Sequence, residues 1–207
     1  MTRTWLMHHA SYNQKAVLLM VGGAFFFSGV AGLLYQVVWQ RLLFLALGVD
    51  IRSVTIIVSV FMLGLGVGGR MGGVLSDRYR GKCVMLFALF EFLVGIAGLL
   101  SIGFFSNLGI AGGSWMAWVG AFVVLIVPTT LMGASLPLLA VSLVERGESV
   151  GGAVGWLYFY NTLGAAFSCY FLGFWIFEFF GLRAVILIAV MLNFLVAAMG
   201  GLLWRGR

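Results

Sequence analysis

The sequence predicts an all-α protein: six membrane-spanning helices in one integral membrane domain over residues 1–207, with both termini cytoplasmic. Three observations carry this. The chain is 63% hydrophobic and only 9% charged, against roughly 25% charged in soluble domains. Its apolar residues fall in runs of about 20, the length that crosses some 30 Å of hydrocarbon as a helix. Its Lys and Arg sort to one side of those runs. Glycine adds to the picture: 30 of 207 residues, about twice ordinary usage, and commoner in membrane helices than in soluble ones.

The predicted spans are 16–36, 54–75, 83–105, 115–138, 154–177 and 184–203. The first follows a basic start (Arg3, Lys15) with no small-residue cleavage site behind it, so it reads as a retained anchor rather than a removed signal peptide. With the N-terminus inside, the cytoplasmic cations are Arg3, Lys15, Arg70, Arg78, Arg80, Lys82, Arg146, Arg205 and Arg207, and the outer ones are Arg41, Arg52 and Arg183. That asymmetry sets the direction. Trp39, Trp115 and Trp204 fall near span ends, where indoles prefer to sit. The formal charge of +6 is spread through these loops and forms no nucleic-acid surface. Cys83 and Cys169 make no redox or metal motif and read as small apolar residues.

The fourth span is unusually long. Apolar character persists from Trp115 to Leu143, and both prolines, Pro128 and Pro137, lie within it. Because proline removes a helical hydrogen bond, a bend is expected near Pro128-Thr129-Thr130. Leu136–Val144 is expected to continue as a final turn or to lie at the cytoplasmic interface.

Several residues stand out chemically. Gly64, Gly68 and Gly72 are spaced by four and share one helix face, widened by Gly69 and Gly73, which invites close approach of another helix. Asp77, Arg78 and Arg80 form the short polar turn that follows. Glu91 lies nine residues beyond Lys82, so about 13 Å deeper at 1.5 Å per residue. A carboxyl group near the bilayer centre is costly and usually functional. Glu91 therefore binds an organic cation, carries a coupling proton, or sits protonated in a structural hydrogen bond. Arg70 either snorkels to the surface or pairs with Asp77 or Glu91. Tyr158, Tyr160, Asn161 and Thr162 fall at mid-depth of the fifth span, where an Asn seeks an interhelical partner. Tyr35, Gln36, Trp39, Gln40 and Arg41 either floor an outward cavity or form an aromatic belt. Glu178 and Arg183 bracket the last outer turn and are placed to pair. His8-His9 beside Trp5-Leu6-Met7 reads as an interfacial anchor, not a metal site. No metal, cofactor or catalytic set is expected, since no His/Asp/Glu cluster, paired aspartates or Ser/His pair shares a depth.

Gly73-x-x-x-Asp77-Arg78 followed by Gly81-Lys82 resembles the loop between the second and third helices of the major facilitator superfamily, with one extra residue between the two pairs. The resemblance implies a latch that gates alternating access, and a fold like half of a major facilitator. Such halves carry an inverted three-plus-three repeat; the helix count allows one, but the two halves of the chain show no convincing sequence similarity.

Further strings occur in order along nearly the whole chain: Phe27-Ser28-Gly29 to Leu42; Phe61-Met62-x-Gly64-Leu65; Leu89-Phe90-Glu91; Pro128 to Leu139; Val154-Gly155-x-Leu157-Tyr158-x-x-Asn161-Thr162-Leu163-Gly164-Ala165; and Gly181-Leu182-Arg183. Together they resemble the membrane domain of bacterial spermidine-synthase-like membrane proteins, in which a transporter-like part is fused to a soluble aminopropyltransferase-like domain. The resemblance implies a multi-pass bacterial inner-membrane protein. Arg70 departs from it, since an apolar or small residue is expected there. The sequence has no Gly-x-Gly-x-x-Gly after a soluble strand and no acidic pair for an amine, so no enzyme activity is expected of this chain.

Two functions remain open. In the first, the chain is a non-catalytic membrane subunit or scaffold for a larger complex, docking a separately encoded synthase-like or redox partner. The missing soluble domain and the scarcity of intramembrane charge favour it. In the second, two copies form a twelve-helix carrier for a polyamine-like cation. Glu91, Asn161, Tyr158 and Gln36 then line the cavity, and the Gly64/Gly68/Gly72 face serves the dimer interface. Besides membrane lipids, the expected partners are a second copy or other membrane subunits.

Overall fold

The computed structural model describes residues 2–48, 50–108, 115–171, 175 and 179–205, of which residues 2–15 and 50 are described by backbone alone. Among the described residues the protein is helical, without strands. Six long helices follow one another: α1 (Thr2–Leu47), α2 (Asp50–Arg78), α3 (Cys83–Leu108), α4 (Trp115–Val144), α5 (Val150–Phe171) and α6 (Leu182–Arg205). Five are long and apolar enough to cross a membrane, namely α2, α3, α4, α6 and the Ala16–Leu47 part of α1. The fifth helix forms as well, but its described part is not among these five. The chain thus has the build of a multi-pass membrane protein.

The helices run further than the apolar runs that predict them. The first continues to Leu47, because Val37–Leu47 still has an apolar face packed in the core. This makes Trp39 fully buried rather than a residue of an interfacial belt: its ring stacks on Tyr35 at 4.7 Å, and its Nε1–H donates to Ser101 Oγ at 3.0 Å. Trp115 is exposed, as expected of an end residue. The fourth helix is continuous through both prolines to Val144. The Thr129 and Thr130 hydroxyls donate to carbonyls one turn back, Thr130 to Ile126 at 2.7 Å. The chain reverses at Gly81 (φ 78°) and Gly147 (φ 98°), where a left-handed backbone favours glycine. Ser149 Oγ then caps α5 by accepting from Gly152 N–H.

Close packing pairs α2 with α4, α1 with α5, and α3 with α6. α1 also meets α6, α3 meets α4, and shorter contacts join α1 to α2 and α4 to α5. Exchanging α1–α3 for α4–α6 turns these principal pairs into themselves. Glycine makes the first two pairs possible. A Cβ on Gly68 would run into the Thr130 carbonyl, and one on Gly64 into the Thr129 side chain. One on Gly133 would lie 2.6 Å from the Leu65 carbonyl oxygen. The α1–α5 pair repeats the device, with Gly29 against the Asn161 backbone and Gly164 against Phe26. The Gly64/Gly68/Gly72 face is therefore used within the chain, against α4, rather than left open for a second copy.

Two apolar cores result. One gathers Leu34, Trp39, Leu43, Val94, Leu125 and Val185. The other gathers Phe25, Phe87, Leu138, Leu143, Leu157 and Leu203. Residues from the start of the Ala16–Leu47 part of α1 (Val17, Leu18) and from the end of α6 (Leu203, Trp204) pack around the second core. Those two helix ends therefore lie at the same end of the bundle, with Arg78, Arg80, Lys82 and Arg146.

A Gly68→Ala change should cost on the order of 2 kcal/mol of stability through overpacking. Gly66→Ala, whose Cβ meets nothing within 4 Å, should be neutral or stabilise by up to about 1 kcal/mol through helix propensity. Thermal unfolding of both variants in detergent compares them, and equal loss in the two would refute this placement of the glycines.

Candidate functional site

Between the two cores lies a polar layer. Ser28 on α1, Glu91 on α3, Thr129 on α4 and Asn193 on α6 each fall where their helix passes from one core to the other. Glu91 is its centre, and its residue is 1% exposed. Oε1 accepts from Ser28 Oγ at 2.7 Å, and Oε2 accepts from Asn193 Nδ2 at 2.6 Å. Ser135 of α4 also faces the carboxyl group, while its own hydroxyl donates to the Leu131 carbonyl at 3.3 Å. One side chain on α3 thus hydrogen-bonds to two other helices and faces a third, with neutral groups throughout. Toward the other core, the Tyr35 hydroxyl lies against Gly98 and is buried without a hydrogen-bond partner among the described residues.

Beside this layer a half-open cleft of about 500 Å³ lies between α1, α2, α4 and α5. α1 contributes Ser28, Gly32 and Gln36; α2 contributes Leu65 and Gly69; α4 contributes Met132 and Pro137; α5 contributes Tyr158 and Asn161. Asn161 Nδ2 also donates to the Phe25 carbonyl at 3.3 Å, which is the interhelical partner expected of an Asn at that depth. Of the four residues that sequence reasoning assigns to a substrate, Gln36, Tyr158 and Asn161 line the cleft. Glu91 does not: it stands behind the wall, and Ser28 connects it to the lining.

The Asp77 turn lies at the end of the bundle. Arg80 pairs with Asp77 at 3.5 Å, both side chains being largely exposed, so the pair contributes little stability. Arg78 stands 5.8 Å from the Tyr79 ring centroid. The link from this turn to a neighbouring loop comes from elsewhere: Gly81 N–H donates to Glu145 Oε1 at 3.0 Å. Arg70 is exposed in a shallow apolar concavity with Met62, Met71 and Val74. It pairs with neither Asp77, whose partner is Arg80, nor Glu91, whose partners are Ser28 and Asn193. Arg183 donates to Ser106 Oγ at 3.3 Å; Glu178, its expected partner, lies outside the described residues, as do the side chains of His8 and His9. Cys83 is buried with its thiol 3.8 Å from the Ser76 carbonyl oxygen, and Cys169 is exposed and unpaired. Among the described residues no group of three or more His, Cys, Asp and Glu converges as a metal site.

Sequence reasoning missed Ser28, Ser135, Asn193 and Glu145. Asn193 was legible, as the one amide in an otherwise apolar span. The serines carried no signal, since a serine in a membrane helix ordinarily bonds back to its own backbone.

Glu91→Ala should destabilise the bundle by roughly 3 kcal/mol, because it strands the Ser28 and Asn193 donors at about 1–3 kcal/mol each. Glu91→Gln, which keeps an acceptor for Ser28, should cost well under half of that. Melting temperatures in detergent test the ranking, and equal losses would mean that the carboxyl group does not hold the helices together.

In comparisons with protein-family models, with curated proteins and with solved structures, the chain finds no match.

Proposed function

We propose that this protein is the membrane module of a carrier, moving a small organic cation of polyamine type, with two copies enclosing the cleft between their α1/α2/α4/α5 faces. One observation carries the reading: Gln36, Tyr158 and Asn161 converge on a cleft in the flank of an otherwise apolar bundle. Polar side chains turned toward hydrocarbon are costly, so such a flank calls for a water-filled cavity or a covering partner. The exchange of helix pairs between α1–α3 and α4–α6 supports a three-plus-three repeat and hence a major-facilitator-like half. It is a similarity of packing rather than of sequence. The resemblance to bacterial spermidine-synthase-like membrane proteins supports the choice of cation class. It also suggests the bacterial inner membrane, with the Arg78/Arg80/Lys82 end and both termini cytoplasmic. The Gly81–Glu145 link is suited to hold the two loops of that end together while the cleft changes shape.

A second reading keeps the same surface and changes its occupant. The open cleft would seat a helix of another subunit, and the chain would be a non-catalytic scaffold for a complex, for instance with a separately encoded synthase-like protein.

Purified protein in liposomes should accumulate radiolabelled spermidine, and Tyr158→Ala and Asn161→Ala should each lower the rate about tenfold, the equivalent of 1.4 kcal/mol. Native mass measurement after gentle extraction should give a dimer. A stoichiometric assembly with other proteins, together with uptake no greater than in empty liposomes, would replace the carrier by the scaffold.

A further inference from the structure

Glu91 has an unusual combination of features. It is buried between four helices, its side-chain partners are all neutral, and it is one hydrogen bond from the cleft. The groups that face it are Ser28 from α1, Ser135 from α4 and Asn193 from α6, with Tyr35 of α1 within electrostatic reach as the one other titratable side chain. Among the described residues no Lys, Arg or His approaches it. An ionised carboxylate buried without a cation is strongly disfavoured unless something neutralises it.

The geometry at Asn193 indicates what does so. Its Nδ2 lies 2.6 Å from Glu91 Oε2. That is short for an N–H···O bond and ordinary for O–H···O. The amide's other end, Oδ1, is buried and has no hydrogen-bond partner among the described residues. A half-turn of the amide exchanges the two ends. The site then accepts both states of the carboxyl group: ionised, it receives N–H from Asn193; protonated, it donates O–H to Asn193 Oδ1. Ser28, which lines the cleft and touches Oε1, is placed to relay the proton.

We propose that Glu91, Asn193 and Ser28 form a proton-binding site that exchanges with the cleft through Ser28, the one of the three that lines it. Uptake forms one O–H bond on the carboxyl group. Water in the cleft passes a proton to Ser28 Oγ as Ser28 passes its own to Oε1. Half-turns of the carboxyl and amide groups then bring the new O–H to Asn193 Oδ1. Release reverses these steps and returns the proton to cleft water. The linkage to cargo rests on the carrier reading, because it needs a cleft that fills and empties; the proton site itself does not.

The test is infrared difference spectroscopy of the intact protein in lipid nanodiscs between alkaline and acidic buffer. The expected result is a carboxylic C=O band that appears on acidification, shifts down in deuterium oxide, and is lost in Glu91→Gln. That variant keeps an acceptor for Ser28, and wild-type protein carrying carbon-13 glutamate identifies the band as glutamate even if the variant folds poorly. Ser28→Ala should keep the band but slow its hydrogen–deuterium exchange. Asn193→Leu should shift its frequency by removing the amide acceptor. No glutamate band on acidification, a band that survives in Glu91→Gln, or sodium-22 binding that Glu91→Gln abolishes without any band, would each overturn the proposal. Spermidine uptake in liposomes separates the two readings. A Glu91 band without uptake removes the carrier and leaves the proton site, while uptake without the band removes the proton site alone.

Discussion

A carboxyl group in the middle of a membrane bundle has to be satisfied by whatever surrounds it. Here the groups that do so come from different helices. Ser28 and Asn193 donate to Glu91 from α1 and α6, and Ser135 faces it from α4, so four helices meet at one side chain of α3. Apolar packing in lipid discriminates poorly between helix arrangements, since lipid tails are as apolar as leucine. Directional hydrogen bonds at a fixed depth do discriminate. The two apolar cores fill in on either side of this layer; α1, α3 and α6 pass from one core to the other at Ser28, Glu91 and Asn193, and α4 does so at Thr129.

The second constraint is steric. Two helix pairs, α2 with α4 and α1 with α5, approach until backbone touches backbone, and glycine at the contact permits it. The consequence for function is indirect. With the Gly64/Gly68/Gly72 face turned inward against α4, the faces left at the surface between α1, α2, α4 and α5 frame the cleft. The same packing places Ser28 in its wall, with Glu91 behind.

Several features of the site were legible in the chain and several were not. The depth of Glu91, the mid-span placing of Tyr158 and Asn161, and the existence of a close-packing glycine face follow from spacing along a helix. Which helix that face would meet does not, because a glycine groove accepts any partner with small or accessible backbone at the contact. Trp39 illustrates another limit. Near the end of an apolar run it reads as an interfacial indole, yet the helix continues and Ser101 supplies a partner for its N–H, so it is buried. The prolines of α4 do not end it, and the helix is continuous through both.

By itself the sequence determined that the chain is helical and built of membrane-length apolar segments. It also determined where their boundaries lie to within a turn or several, and which few polar residues are carried to mid-depth. These are local properties of composition and period. Only the tertiary structure decided which helices meet, that Asn193 and Ser28 rather than Arg70 satisfy Glu91, and that Glu91 lies behind the cleft instead of in it. Such choices depend on pairs of residues distant in the chain, 63 positions apart for Ser28 and Glu91 and 102 for Glu91 and Asn193. A hydrogen bond between them leaves no trace in the spacing of either helix.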